Sequence, residues 1–312
     1  MRRTSLDMVY ELAQEDERVV FIGSDLGPGV LEGMRTEMPD RFFMEGVSEA
    51  NIIGMAAGLA MDGFIPYVNT IATFLTRRCF EQISMDLCLH NLPVRLIANG
   101  GGLVYAPLGP THIAIDDIGL MRTQPNMTIV APADAEEMKQ FMPTTLAWEG
   151  PIYIRLGKGG DPVITDAERP FEIGRGVTYR PISKITIAAT GIMTGKALEA
   201  ADILKAKGIS CGVAHFPTIK PLDKSLAFEL AQNCELLVAL DEHLINNGLG
   251  SAILETLNDD WDGPMPHIKR LGIDDQFTRH YGSQDSLLEK FGLQPPQIAD
   301  FVERTINNAA AA

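Results

Sequence analysis

The chain has 312 residues, 46% hydrophobic and 21% charged, which is enough for two domains each with its own core, and a mean hydropathy of +0.04 excludes a bundle of membrane spans. Its 41 acidic residues against 26 Lys and Arg leave a net charge of −15, a field that repels nucleic acid and anionic lipid, so neither is an expected partner. The four cysteines (Cys79, Cys88, Cys211, Cys234) form no CxxC pair and the histidines show no metal-ligand spacing, so reduced thiols in a cytoplasm are expected and no metal site is. The amino-terminal segment turns acidic at once (Asp7, Glu11, Glu15, Asp16, Glu17) and lacks the apolar centre of a signal peptide.

In chain order, β-branched runs alternate with helical patterns, the signature of parallel βαβ units. Strands are predicted at Val19–Gly23, Ile65–Asn69, Val94–Ala98, Thr128–Ala131 and Ile152–Leu156. Helices are predicted near Ser5–Gln14, Glu49–Asp62, Phe74–His90 and Ala133–Trp148. The second of these has Ser48 as a predicted cap, Glu49 in the positive first turn and Gly63 as its stop. Between Gly157 and Ser183 glycine and proline crowd the chain and periodicity fails. A second alternation follows, with strands at Ile185–Thr190, Ile209–His215, Leu236–Asp241 and Ile268–Leu271. Its helices are predicted near Gly195–Lys207, Lys224–Asn233, Gly248–Asn258, Gln284–Phe291 and Pro296–Ile306. The expected organisation is a first domain at 1–165, a linker at 166–183 and a second domain at 184–312, each an α/β fold on a parallel sheet.

Three constellations could carry chemistry: Gly46-Val47-Ser48-Glu49-Ala50-Asn51, Gly100-Gly101-Gly102 with Gly109-Pro110-Thr111-His112, and Asp241-Glu242-His243 with Gly248-Leu249-Gly250-Ser251. In this order, with Ala131-Pro132-Ala133-Asp134 and Pro217 to Asp223 between them, they resemble the pyrimidine-binding and carboxy-terminal domains of the transketolase family, over about Ser5 to Ile306. The resemblance implies two tandem parallel-sheet domains, use of thiamine diphosphate, and transfer of a two-carbon ketol unit from a ketose to an aldehyde.

The resemblance also assigns residues. Glu49 matches the glutamate that hydrogen-bonds N1′ of the aminopyrimidine, a role that calls for apolar surroundings. Taken alone, Glu49 reads rather as an exposed helix-dipole glutamate, and it is the resemblance that reverses this. Phe74 matches the aromatic against the pyrimidine ring, and on pattern alone fits a core phenylalanine. Arg77 or Arg78 is similar to an arginine of deoxyxylulose-phosphate synthases and split-subunit variants, and Asp25 matches an acidic residue near the site. His112 matches a catalytic histidine that contacts substrate. Leu108 stands where transketolases place an aspartate that reads a hydroxyl, Gly100 where they place a phosphate-contacting histidine, and Lys158 where relatives carry an arginine. His243 reads as structural.

A Gly-Asp-Gly motif, which in the family holds the diphosphate and Mg²⁺, is absent from the chain. The resemblance therefore implies the small subunit of a split transketolase, sharing thiamine diphosphate with a diphosphate-binding partner that binds Mg²⁺, as a self-associating α2β2 heterotetramer. The alternatives are the β subunit of a 2-oxo acid dehydrogenase E1 component, and a noncatalytic assembly subunit of the same fold.

Overall fold

In a computed structural model, which describes residues 1–24 and 30–311, the alternation resolves into two α/β units. The first comprises Met1–Gly101 with Asp117–Ile173, the second Gly102–Asp116 with Gly174–Ala312. No described helix is long and apolar enough to cross a membrane.

The first unit runs through α1 (Arg2–Glu15), β1 (Val19–Gly23), α2 (Glu32–Glu37), β2 (Phe42–Met44), α3 (Glu49–Met61), β3 (Ile65–Ile71), α4 (Phe80–Gln82), β4 (Arg95–Asn99), α5 (Asp117–Arg122), β5 (Thr128–Val130), α6 (Ala135–Phe141) and β6 (Ile152–Leu156). Its strands pair in parallel in the order β2-β1-β3-β4-β6-β5. Because both faces are covered, the strands read as unbroken apolar runs. Phe21, Tyr67, Ile97 and Ile154 pack with Leu6, Val9 and Leu12 of α1 and Phe141 of α6. The register aligns Gly23 with Met44 and Asn69, Ile71 with Asn99, and Asn99 with Leu156, so the carboxyl ends of β1, β2, β3, β4 and β6 share one edge.

Two predicted helices are broken. Over Phe74–His90, wide i→i+5 turns at Phe74–Arg78 and Ile83–Cys88 flank the short α4. The helix predicted from Ala133 stops at Phe141, and a tighter turn at Met142–Thr145 follows, where Pro143 has no N–H to give to an α-helical bond. That turn has a use. The wholly buried guanidinium of Arg95 donates to the carbonyls of Thr145, Trp148 and Gly150, each at 2.6 Å, and burial pulls its pKa down to about 10.

The second unit contains β7 (Val177–Arg180), β8 (Ile185–Ala189), α7 (Met193–Ala206), β9 (Gly212–His215), β10 (Thr218–Lys220), α8 (Lys224–Asn233), β11 (Leu236–Leu244), α9 (Leu249–Asp260), β12 (His267–Ile273), α10 (Gln284–Lys290) and α11 (Pro295–Ala311). Its sheet has the order β12-β11-β8-β9-β7 and is parallel except for β7, which runs antiparallel to β9. Strand β7 lies within the glycine- and proline-rich stretch that gave no periodic signal. One face of the sheet packs against α7 and α11, and Leu103, Ala106, Ile113 and Ile115 complete that core. The segment Gly102–Asp116, read from sequence as part of the first domain, thus buries Leu103, Ala106, Ile113 and Ile115 in the second unit.

One device appears in each unit. Asp134 caps α6 by accepting from the N–H groups of Glu136 and Glu137, and its other oxygen accepts from Ile164 and Thr165. Asp223 caps α8 through Leu226 and accepts from Gly176. Burial alone would raise both carboxyls, but these bonds outweigh it and hold them below the ordinary value of 3.8. The stability they contribute is therefore complete above that value and is lost as the pH falls through the depressed folded values. Asp134→Ala is expected to cost about 2–3 kcal/mol, from a lost cap and buried N–H groups left unpaired. Urea midpoints at pH 7 and pH 3 check this, the gap between wild type and variant narrowing at the lower pH.

Candidate functional site

A parallel sheet covered on both faces meets its ligands at the carboxyl ends of its strands, where the loops diverge. In the first unit that edge gathers most of the predicted residues. Glu49 follows β2, Phe74 follows β3, Gly100 follows β4 and Lys158 follows β6. Asp25, which follows β1, lies outside the described residues.

Glu49 opens α3 and is 3% exposed. The expected cap does not form: the Ser48 hydroxyl donates to the carbonyl of Glu45 at 3.0 Å and gives no side-chain bond to the helix. Glu49 Oε2 accepts from Arg78 Nη1 at 2.8 Å, and the Arg78 guanidinium lies 4.3 Å from the centroid of the Phe74 ring. The wide turn at Phe74–Arg78 sets aromatic and cation on one side, a cation–π pair that also serves the carboxylate. Of the two arginines singled out in sequence, Arg78 is the one that reaches Glu49, and Arg77 is exposed one residue earlier. Among the described residues Glu49 Oε1 has no hydrogen-bond partner. Next to this group, burial and then the charge of Glu49 push the Cys79 thiol up to about 12, so it stays an inert thiol.

The floor of the edge is polar in a way the sequence analysis missed. Ser24 Oγ donates to Thr70 Oγ1 at 2.6 Å where β1 and β3 separate. Asn99 Nδ2 donates to Asn69 Oδ1 at 3.0 Å, while the buried Asn99 Oδ1 has no partner among the described residues. Behind it, Asp117 takes both Nε and Nη2 of Arg155 and the Tyr153 hydroxyl, at 2.8, 3.1 and 2.8 Å, all three side chains buried. A Cβ on Gly101 would lie 2.5 Å from Arg155 Cγ, so that glycine gives room to the ion pair. The available signal was an arginine inside the apolar run Ile152–Leu156.

His112 and Leu108 lie in the segment that belongs to the second unit. An antiparallel bridge between Gly102 and Ala114 closes this loop, and His112 sits half-buried with Nδ1 2.9 Å from Thr111 Oγ1. Leu108 is 49% exposed. In the Asp241-Glu242-His243 run, Asp241 caps α9 through Leu249, and buried His243 Nδ1–H donates to the Leu244 carbonyl at 2.7 Å. That bond occupies one ring nitrogen of His243. Among the described residues no group of three or more His, Cys, Asp or Glu is arranged to hold a metal ion.

The sequence model of the transketolase pyrimidine-binding domain matches residues 1–160, and that of the transketolase carboxy-terminal domain matches 174–298. The chain belongs to the transketolase family. This transketolase-family chain is 38% identical over 296 residues to a 1-deoxy-D-xylulose-5-phosphate synthase of Heliobacterium modesticaldum, covering 94% of itself but only 45% of that protein. It is 34% identical over 299 residues to the 6-deoxy-6-sulfo-D-fructose transketolase subunit SqwH of a Clostridium species, covering 96% of itself and 92% of that subunit. A solved split-gene transketolase, described as an inactive β4 tetramer, superposes with a TM-score of 0.86 at 36% identity, covering 97% of this chain and 96% of that one. The fold is also that of a Pichia stipitis transketolase, with a TM-score of 0.78 at 18% identity.

Proposed function

We propose that this chain is the small, pyrimidine-binding subunit of a two-component, thiamine diphosphate-dependent transketolase. The observation that carries the reading is Glu49: a buried carboxylate with one oxygen held by Arg78 and the other open, next to an aromatic ring at the carboxyl edge of a parallel sheet. Those residues fit an aminopyrimidine, whose ring is flat and apolar with a nitrogen that takes a proton. When bound, thiamine diphosphate supplies the carbon nucleophile for ketol transfer. The chain's own contribution is to let Glu49 Oε1 share the proton of N1′, to keep that carboxyl oriented through Arg78, and to offer the Phe74 ring as an apolar face. His112 is assigned to the oxygen of the reacting sugar as a hydrogen-bonding or proton-moving group.

The lack of a Gly-Asp-Gly motif in these residues supports giving the diphosphate and Mg²⁺ to a partner subunit, and an α2β2 assembly is the proposed working form. The similarity to a split-gene protein and to a named transketolase subunit over almost their whole lengths supports that division of labour. Four buried free thiols support a reducing, cytoplasmic setting.

Substrate preference is proposed from departures in the loops. With Leu108 in place of a hydroxyl-reading aspartate and Gly100 in place of a phosphate-contacting histidine, the acceptor is small or lacks the usual 2-hydroxyl. The distal group of the substrate is then unphosphorylated or a different anion, with Lys158 as a point charge for it. A relative named for a sulfonated ketose supports placing a sulfonate in the test. The test is ketol transfer by the reconstituted complex on phosphorylated, unphosphorylated, deoxy and sulfonated sugars. Leu108→Asp is expected to shift preference about 10–100-fold toward 2-hydroxy acceptors. Preference of the wild type for ribose 5-phosphate and xylulose 5-phosphate over every other pair would overturn the substrate assignment.

A further inference from the structure

The loop that carries His112 is gripped at both of its legs by the end of one strand. On the incoming leg, the Leu103 N–H donates to Glu242 Oε1 at 2.9 Å. On the outgoing leg, the Ile115 carbonyl accepts from the Leu244 N–H at 2.8 Å. Glu242 and Leu244 are two residues apart on β11, so one strand end spans the base of the loop that the Gly102–Ala114 bridge closes. The Gln284 side chain, at the start of α10, donates to the same Glu242 oxygen at 2.8 Å, and α10 itself packs against the Ala106–Leu108 turn.

Glu242 is 1% exposed, so its carboxylate has been taken out of water to make these bonds. It also fills the space where a Cβ on Gly102 would stand, and Gly102 has φ +66°, so no other residue fits there without displacing the anchor. At the far end of the loop, Tyr281 packs against Gly109 in the same way, immediately before Pro110-Thr111-His112. The part of the loop that carries exposed Leu108 and half-buried His112 thus hangs from a buried acidic anchor.

We propose that Glu242 is a positioning residue for His112: it fixes the incoming leg of the loop so that the histidine is held at a set reach. This rests on the functional reading above for what His112 does, but the anchor itself does not. A misplacement of about 1 Å in a reacting group costs on the order of 100-fold in rate, so a loosened anchor has a kinetic signature.

The experiment has two arms. Hydrogen exchange at the Leu103 amide is measured on the full chain for wild type, Glu242→Gln and Glu242→Leu. Glutamine keeps a carbonyl acceptor and is expected to retain protection. Leucine removes the acceptor and is expected to speed exchange at Leu103 by about tenfold or more. Unchanged exchange in Glu242→Leu overturns the anchor. If that variant does not fold, Gln284→Leu takes its place, with a smaller acceleration expected and none overturning the proposal. In the reconstituted complex, Glu242→Leu is expected to lower kcat/KM about 10–100-fold with thiamine diphosphate affinity unchanged, and to cost little further in a His112→Ala background. Additive losses in that cycle, or rescue failing with Glu242→Gln, would mean the residue serves stability alone. Because the exchange arm needs no turnover, a complex without ketol transfer counts against the functional reading and leaves the anchor standing or falling on its own result.

Discussion

Glu49→Gln is expected to leave a folded, assembled complex that has lost ketol transfer by about 10²–10⁴-fold, the range for a positioned acid–base group. Glutamine keeps the shape of the side chain and one acceptor for Arg78, but it has no carboxyl proton to share with a ring nitrogen. The effect on stability is small by comparison. Arg78 is 48% exposed, so when its ion pair is weakened the guanidinium turns to water at little cost. The rival view of Glu49, a glutamate placed to favour the dipole of α3, predicts the reverse pattern: up to about 1 kcal/mol of stability lost and activity kept. Single-turnover kinetics and thermal unfolding on the same preparations separate the two. Retention of activity within a few fold would end the acid–base assignment. The burial of Glu49 already weighs against the dipole view, because a carboxylate placed only for a helix dipole has no need to leave solvent.

Why some of this was legible in sequence and some not follows from the range over which each signal acts. Strands such as Ile152–Leu156 and helices such as Lys224–Asn233 were found to the residue, since hydrophobic period and capping chemistry are local. The helix predicted over Phe74–His90 failed because its apolar pattern is helical while its hydrogen bonds widen, a choice made by tertiary packing. Strand β7 was hidden by flanking glycine and proline, and it persists as an edge strand, where such neighbours are tolerated. The motifs singled out Glu49 and Phe74, which the structure links through Arg78, but the preference for Arg78 over Arg77 at the carboxylate depends on the turn geometry and could not be read from spacing. The least legible feature was the allegiance of Gly102–Asp116. Its apolar residues Leu103, Ile113 and Ile115 signal burial but not in which core, and a partner like Glu242, more than a hundred residues away, leaves no local trace.

The purified chain alone is expected to bind thiamine diphosphate weakly and to show no ketol transfer, with both appearing when a subunit containing Gly-Asp-Gly is added with Mg²⁺. The reason is electrostatic. A diphosphate needs a cation and a cradle of donors, and this chain carries a net charge of −15 with no Gly-Asp-Gly motif to hold a metal. On the proposed reading Glu49 and Phe74 serve only the pyrimidine end, one hydrogen bond and one apolar face, too little to hold a highly charged cofactor against that field. Addition of the partner supplies the charged end and should take turnover from background into the ordinary enzymatic range of about 1–10³ s⁻¹. Isothermal titration of the cofactor into each subunit and into the mixture, followed by the same samples in a coupled ketol-transfer assay, gives both readings. Mg²⁺ removal by chelation should return the mixture to the behaviour of the separate chains. A lone chain that turned over a ketose at an enzymatic rate would show that the diphosphate is held by groups other than the family's motif, and the two-component assignment would fall with it.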